Sequence, residues 1–168
     1  MSFLERPAGD LLDLFAAGKN VPGAGSAAAL QGALAGSLIQ SVARYSKAEE
    51  SRIQAREITA RLRRAIDEDS EAFARYWKSR SQEDLERAIE IPLSIARDCA
   101  VLAHLALDLY ETGFKNARGE SFAAAWGAIA AGESALYAAR ANARSPLEIA
   151  LAEDLRELRN RISVYSSP

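Results

Sequence analysis

The sequence predicts an all-α fold, a helical bundle of about five to seven helices with short connections. No segment of the 168 residues alternates apolar and polar side chains at period two. Apolar residues instead recur at three- and four-residue steps along most of the chain. Alanine, the best helix former, dominates the apolar content, and only 5 prolines interrupt it. The length suits one domain over residues 1–168 with a substantial core, and no repeat, linker or low-complexity tail divides it.

Residues 8–17 read as a short amphipathic helix, with Leu11, Leu12, Leu14 and Phe15 on one face and Gly18 as its stop. A turn built from Pro22, Gly23 and Gly25 then leads into Ser26, placed to N-cap a helix reaching about Ser46. Ala27, Ala28, Ala29, Gly32, Ala33, Ala35, Gly36 and Ser37 leave almost no large side chain on that helix. Neighbouring backbones can approach it on several sides, so it is expected to be the central helix. Its first-turn N–H groups, behind a glycine turn that admits a ligand close to the backbone, suit a carboxylate, a phosphate or a carbonyl oxygen. The plainer reading is a turn before a buried alanine-rich helix.

A long helix follows over about 49–79, with Ile53, Ile58, Leu62, Ile66, Phe73 and Trp77 as its apolar positions. Ser81 can cap the next helix, in which Pro92 predicts a kink or a fresh start. The stripe Ile95, Cys99, Leu102, Leu105 and Leu109 continues to a stop at Gly113. After the polar loop Phe114–Glu120, another alanine-rich helix spans about 121–142, with Phe122, Trp126, Ile129 and Leu136 facing in. Ser145, Pro146 and Glu148 form a capping box that opens the last helix, whose stripe is Leu147, Leu151, Leu155, Leu158 and Ile162.

Composition excludes several classes. A net charge of −2 gives no basic footprint for nucleic acid. One cysteine and one histidine allow no intrachain disulfide and no readable zinc site. The alanine-rich run contains Gln31, Ser37, Gln40 and Ser41, which argues for a buried helix rather than a membrane span. The opening residues MSFLERPAGD lack the basic and apolar regions of a secretion signal, so a cytoplasmic location is expected.

Asp69 is the first candidate for chemistry. It lies three residues after Ile66 and four before Phe73, on the inward stripe, whereas Asp67 and Glu71 lie off it. A carboxylate there is costly unless partnered or functional. It can be a proton-transfer group or a cation-binding group, or it can be half solvated and paired to an arginine such as Arg64. His104 lies one turn before Asp108 and reads as a packing residue or a partner of that acid. Cys99 reads as a buried inert thiol. Lys47 either neutralises the C-terminal dipole of the central helix or reaches an anionic ligand. Asn116 and Glu120 are polar loop residues, solvated or ligand-binding.

Several stretches together resemble a known family. Residues Pro22-Gly23-Ala24-Gly25-Ser26-Ala27-Ala28-Ala29 resemble the glycine-rich turn of the cyclodeaminase/cyclohydrolase family. That family includes the cyclodeaminase part of formiminotransferase-cyclodeaminase and methenyltetrahydrofolate cyclohydrolases of the same fold. Residues 67–73, DEDSEAF, are similar to its acidic stretch, and Lys47 to the lysine closing its glycine-rich helix. Ile91-Pro92-Leu93 is similar to a further element, and Gly113, Asn116, Arg140 and Asn142 fall where later motifs would. The loop departs from the pattern: Phe114 stands for an asparagine, and Gly119-Glu120 for Ser-Asp.

The resemblance implies a dimer-forming helical fold that binds a tetrahydrofolate derivative near the subunit interface, with no metal and no cofactor beyond that substrate. It implies action on the amidine carbon of 5,10-methenyltetrahydrofolate, opened by water, or of 5-formiminotetrahydrofolate, closed with loss of ammonia. Asp69 and Glu120 would be its acid/base pair. Pro22, Gly23, Gly25, Ser26, Lys47 and Asn116 would hold the ligand. Two alternatives remain open: a relative acting on a different imine or amidine, and a non-catalytic helical dimer.

Overall fold

A computed structural model describes residues 2–18, 22–140 and 146–165. Among these residues the chain is helical throughout and contains no strand. Its helices are α1 (Ala8–Ala16), α2 (Ala24–Tyr45), α3 (Glu49–Ser79), α4 (Gln82–Thr112), α5 (Arg118–Arg140) and α6 (Pro146–Val164). A short 3₁₀ turn, Phe3–Glu5, precedes α1, and another, Lys115–Ala117, joins α4 to α5.

The expected small side chains of α2 place it at the centre, where it packs against α3, α4 and α5. Gly32 faces the Cys99 sulfur of α4, 2.7 Å from where a Cβ would stand, and a Cβ on Gly36 would overlap the Thr59 hydroxyl of α3. Around this axis Ile39, Leu62, Ile66, Ile95, Leu102, Leu107 and Ile129 are fully buried. Helix α6 closes the far side through Leu155, Leu158 and Ile162.

Chain direction fixes what lies at each end of the bundle. Ser26, early in α2, bonds to Ile66 and Ser70 of α3. At the other end, the Ser46 hydroxyl accepts from the Phe114 N–H at 2.9 Å, and the Tyr45 and Phe114 rings lie 6.2 Å apart. Helix α5 therefore begins beside the end of α2 and runs antiparallel to it, crossing where Gly127 meets Ala35.

Several expectations are corrected. Ser26 is not the N-cap of α2: Gly23 takes that position with extended backbone, and Ser26 is buried in the first turn. Of the two outcomes expected at Pro92, the fresh start does not occur: α4 runs through it with Ile91, Pro92, Leu93 and Ile95 buried, and core burial outweighs the lost backbone hydrogen bond. Glu120 lies in the first turn of α5 and not in a loop. His104 is exposed and bonds Asp154 of α6 at 2.9 Å rather than Asp108. Leu12, Ile53, Phe73 and Trp77, placed on apolar faces by their spacing, lie exposed. By contrast α3 has the bounds expected, and Ser81 caps α4 by accepting from the Asp84 N–H at 3.2 Å. Ser145 of the expected capping box, the side chain of Leu147, and Asn142 lie outside the described residues.

No described helix is long and apolar enough to cross a membrane. Because Gly36 has no room for a side chain, Gly36→Ala should lower stability by about 1–3 kcal/mol, read by urea unfolding. An unchanged midpoint would show that α2 and α3 are not in such close contact.

Candidate active site

The first turn of α2 meets the middle of α3. Pro22 is buried, Gly23 is half-buried with its φ at −110°, and Gly25 is buried against the Asp69 carboxylate. A Cβ at Gly25 would overlap that carboxylate, so only glycine lets the acid reach the α2 backbone. This is the close approach that the glycine turn suggested, with a side chain of the same protein as its first occupant.

Asp69 sits here because the α3 stripe turns it inward, as its spacing from Ile66 predicted. The Ser26 hydroxyl is 2.8 Å from the Ile66 carbonyl, 2.9 Å from the Ser70 hydroxyl and 3.2 Å from Asp69 Oδ2. The Ser26 backbone N–H also donates to the Asp69 carboxylate. Burial pushes the Asp69 carboxyl above its ordinary range, and the two Ser26 donors pull it back only in part. No cation contributes, so the pairing with Arg64 that the sequence left open does not occur. Asp67, two residues away, is engaged structurally. It accepts from the Ser2 hydroxyl and, at 2.9 Å, from the Phe3 N–H, tying the chain start to α3.

The other candidates lie elsewhere. Lys47 is exposed just past α2, with φ at +56°, a left-handed conformation. Asn116 is exposed in the turn before α5, and Glu120 is exposed on the first turn of that helix. These three share the end of the bundle marked by the Ser46–Phe114 bond. Glu120 lies seven residues from the α5 crossing and Gly25 ten residues from it on α2, in opposite directions. Helical rise therefore separates Glu120 from Asp69 by roughly 25 Å. Within one chain, the acid/base pair expected from the sequence is not assembled.

Ser70 and the Ile66 carbonyl were not singled out from the sequence, although both belong to the Ser26 network. The signal for Ser70 was its position directly after an inward acid. Cys99 is buried against Gly32, and burial pushes its thiol far above the ordinary range, which fits the inert reading. Among the described residues, no group of three or more His, Cys, Asp or Glu side chains converges on a point.

A family model described as formiminotransferase-cyclodeaminase matches residues 7–161. The chain belongs to that family. Among solved structures, it is similar to the crystal structure of formiminotetrahydrofolate cyclodeaminase from Thermotoga maritima, with a TM-score of 0.78 and 24% identity over 95% of this chain and 92% of that one. At that identity the likeness carries the fold. No curated protein matches significantly in sequence.

Two outcomes test this site. Because its pKa is raised on folding, Asp69 holds its proton more tightly in the folded chain than in the unfolded one. Its contribution to stability is therefore greatest below the ordinary value of 3.8 and is lost as pH rises from there through the raised folded value. Urea unfolding of wild type and Asp69→Asn between about pH 4 and pH 7 should show the variant gaining relative to wild type as pH rises. A pH-independent difference would place the carboxylate in solvent. Gly25→Ala should stay folded at a cost of about 1–3 kcal/mol and displace Asp69 from Ser26, flattening that pH dependence.

Proposed function

We propose that this chain is a folate one-carbon enzyme acting on the amidine carbon of 5,10-methenyltetrahydrofolate or 5-formiminotetrahydrofolate. The observation that carries the reading is the Asp69 carboxyl, raised in pKa and held by Ser26 against a side-chain-free helix start, in a member of the formiminotransferase-cyclodeaminase family. Both reactions add a nucleophile to a carbon between two nitrogens and then expel a nitrogen. In the hydrolytic case a water O–H bond breaks as oxygen bonds the carbon, and Asp69 takes the proton. One carbon–nitrogen bond of the tetrahedral adduct then breaks as its hydroxyl becomes the formyl carbonyl; Asp69 returns the first proton to the departing nitrogen, and the hydroxyl proton passes to solvent. In the deaminating case the second folate nitrogen attacks the formimino carbon and gives its N–H proton to Asp69, which returns it to the former imine nitrogen as that carbon–nitrogen bond breaks and ammonia leaves. A carboxyl with a raised pKa suits a group that must both take and return a proton.

The Pro22–Ser26 turn borders the acid and would seat the one-carbon end of the substrate, with Lys47 and Asn116 serving its polar parts. A cleft of about 410 Å³ between α3 and α4, lined by Arg61, Arg64 and Arg97, runs past Glu68, the neighbour of Asp69. Asp98 also lines it and pairs with Arg61, and Arg97 pairs with Glu90, so Arg64 is the arginine that would meet the anionic glutamate tail of a folate. The enzyme would work as a cytoplasmic homodimer or higher homo-oligomer, with no metal or further cofactor.

One observation favours a second reading. Phe114 is exposed beside Tyr45, where the family pattern has a polar residue. A pocket lined in that way would suit a different imine or amidine. A non-catalytic dimer would have an ion-paired Asp69 and no open cavity beside the glycine turn; against its first half, the partners of this acid are Ser26 donors.

The test is the loss of methenyltetrahydrofolate absorbance, together with ammonia release from the formimino substrate. Asp69→Asn should lower kcat/KM by roughly 100-fold or more on whichever substrate is used, the scale of a lost general acid–base group. If Asp69 is the base, the acid limb of the wild-type profile should lie above 3.8, the ordinary value for this side chain. No rate above buffer with either folate would reject the assignment, and ligand binding in the same cleft would then favour the second reading.

A further inference from the structure

Helix α3 outruns its partner. Gly36 of α2 meets Thr59 and Gly25 meets Asp69, so the two helices run antiparallel and α2 begins beside the acid. From there α3 runs on to Ser79, about 15 Å further. The stripe that buries Leu62 and Ile66 and turns Asp69 inward extends into this stretch. Phe73 follows Asp69 by one turn and Trp77 follows Phe73 by another. Leu62 and Ile66 are fully buried, whereas Phe73 is 36% and Trp77 54% exposed.

The two rings are held in order. Their centroids lie 6.1 Å apart with 27° between the planes, a stacked pair. The Arg80 guanidinium lies over the Trp77 ring, 4.0 Å from its centre, and so supports the indole from one side. One helical turn rises about 5.4 Å, and side chains lean back toward the helix N-terminus. The Phe73 ring therefore stands next to Asp69, and the Trp77 ring one turn beyond it. Together they make a flat apolar wall that leads away from the proton-transfer group. Such a wall suits a flat ring system, because ring faces stack on one another with more area and more definite geometry than aliphatic groups offer.

The substrate of the folate reading has two arms. Its amidine carbon lies between a pteridine and a p-aminobenzoylglutamate. Arg64, assigned to the glutamate tail, precedes Asp69 on α3, and Phe73 follows it. With the tail drawn toward Arg64, the pteridine arm points the other way along the helix, onto the two rings. We propose that Phe73 and Trp77 form the stacking platform for the pteridine ring and make this site selective for a fused flat heterocycle beside the reacting carbon. The inference rests on the folate reading of Asp69. The platform positions the substrate and moves no proton. Stacking that is equal in the ground state and the transition state acts on KM more than on kcat.

Calorimetric binding of a tetrahydropterin that lacks the p-aminobenzoylglutamate arm tests the platform without turnover. Trp77→Leu should weaken that binding about tenfold or more, the scale of one lost ring stack. Trp77→Phe should keep most of the affinity, because stacking needs a ring and not merely apolar bulk. Phe73→Leu should act in the same direction as Trp77→Leu. Trp77 is exposed, so urea unfolding should find Trp77→Leu as stable as wild type. With a folate substrate, Trp77→Leu should raise KM by a similar factor and change kcat less. Unchanged tetrahydropterin affinity in Trp77→Leu, in a protein that turns over a folate, would overturn the platform and leave the folate reading standing. Loss of p-aminobenzoylglutamate binding in place of tetrahydropterin binding would overturn the assignment of the arm. A Trp77→Leu variant altered only in its association state would make the rings a protein contact and overturn it too. A wild type that turns over neither folate but binds tetrahydropterin through Trp77 would refute the folate reading and uphold the platform; one that binds no tetrahydropterin would refute the platform.

Discussion

The fold depends on the near absence of side chains along one stripe of α2. Gly25, Gly32 and Gly36 recur at seven- and four-residue steps, so they lie on one side of the helix. Opposite them stand the Asp69 carboxylate, the Cys99 sulfur and the Thr59 hydroxyl. Each glycine removes the one atom that would hold α3 or α4 away. Close packing in the centre and burial of the acid at the end are thus the same contact continued along the helix. Were α2 lined with leucines, Asp69 would sit on a more distant α3, with water at its carboxylate and an ordinary pKa.

Proton counting explains why this carboxylate is only partly compensated. The Ser26 hydroxyl has one proton and three acceptors within reach: the Ile66 carbonyl, Ser70 Oγ and Asp69 Oδ2. The shortest of these contacts is to the carbonyl, which also satisfies a buried backbone group. Shared among these acceptors, the hydroxyl reaches Asp69 only at 3.2 Å, and the Ser26 N–H is the second donor to the acid. A shared hydroxyl and one backbone donor at a helix start do not replace the water that a carboxylate loses on burial. The acid is therefore left able to accept a proton, while Ser26 fixes the direction in which its oxygens point.

Much of this was legible because it is local. The bounds of α3, the cap at Ser81 and the inward direction of Asp69 follow from three- and four-residue steps and one side-chain hydrogen bond. What was not legible depended on partners distant in sequence. Ser26 looks like a cap because serine is usual there, but Gly23 in extended backbone can begin the helix itself, which frees Ser26 for α3. His104 was read against its own helix, whereas its partner Asp154 is 50 residues away on α6. Asp69 and Glu120 were grouped because their motifs resemble those of one family, and a motif carries no information about which end of a bundle it occupies. Antiparallel packing of α5 on α2 decided that, and it separated them.

The two ends of α2 are where the chain departs from its local preferences. At one end an acid is buried without a cation. At the other, Lys47 adopts a left-handed conformation that costs a non-glycine residue of order 1 kcal/mol. Arg80, the other non-glycine residue with positive φ, sits 4.0 Å from the centre of the Trp77 ring, a contact that offsets its strain. Lys47 has no such contact: among the described residues, no ion pair or ring contact holds its side chain. Glycine would fit this turn at lower backbone cost, and a cation beside the C-terminal dipole of α2 offsets part of that cost. The acid at the start of α2 and the cation past its end are thus set by different local demands, a side-chain-free helix start that admits a carboxylate and a helix end that favours a positive charge.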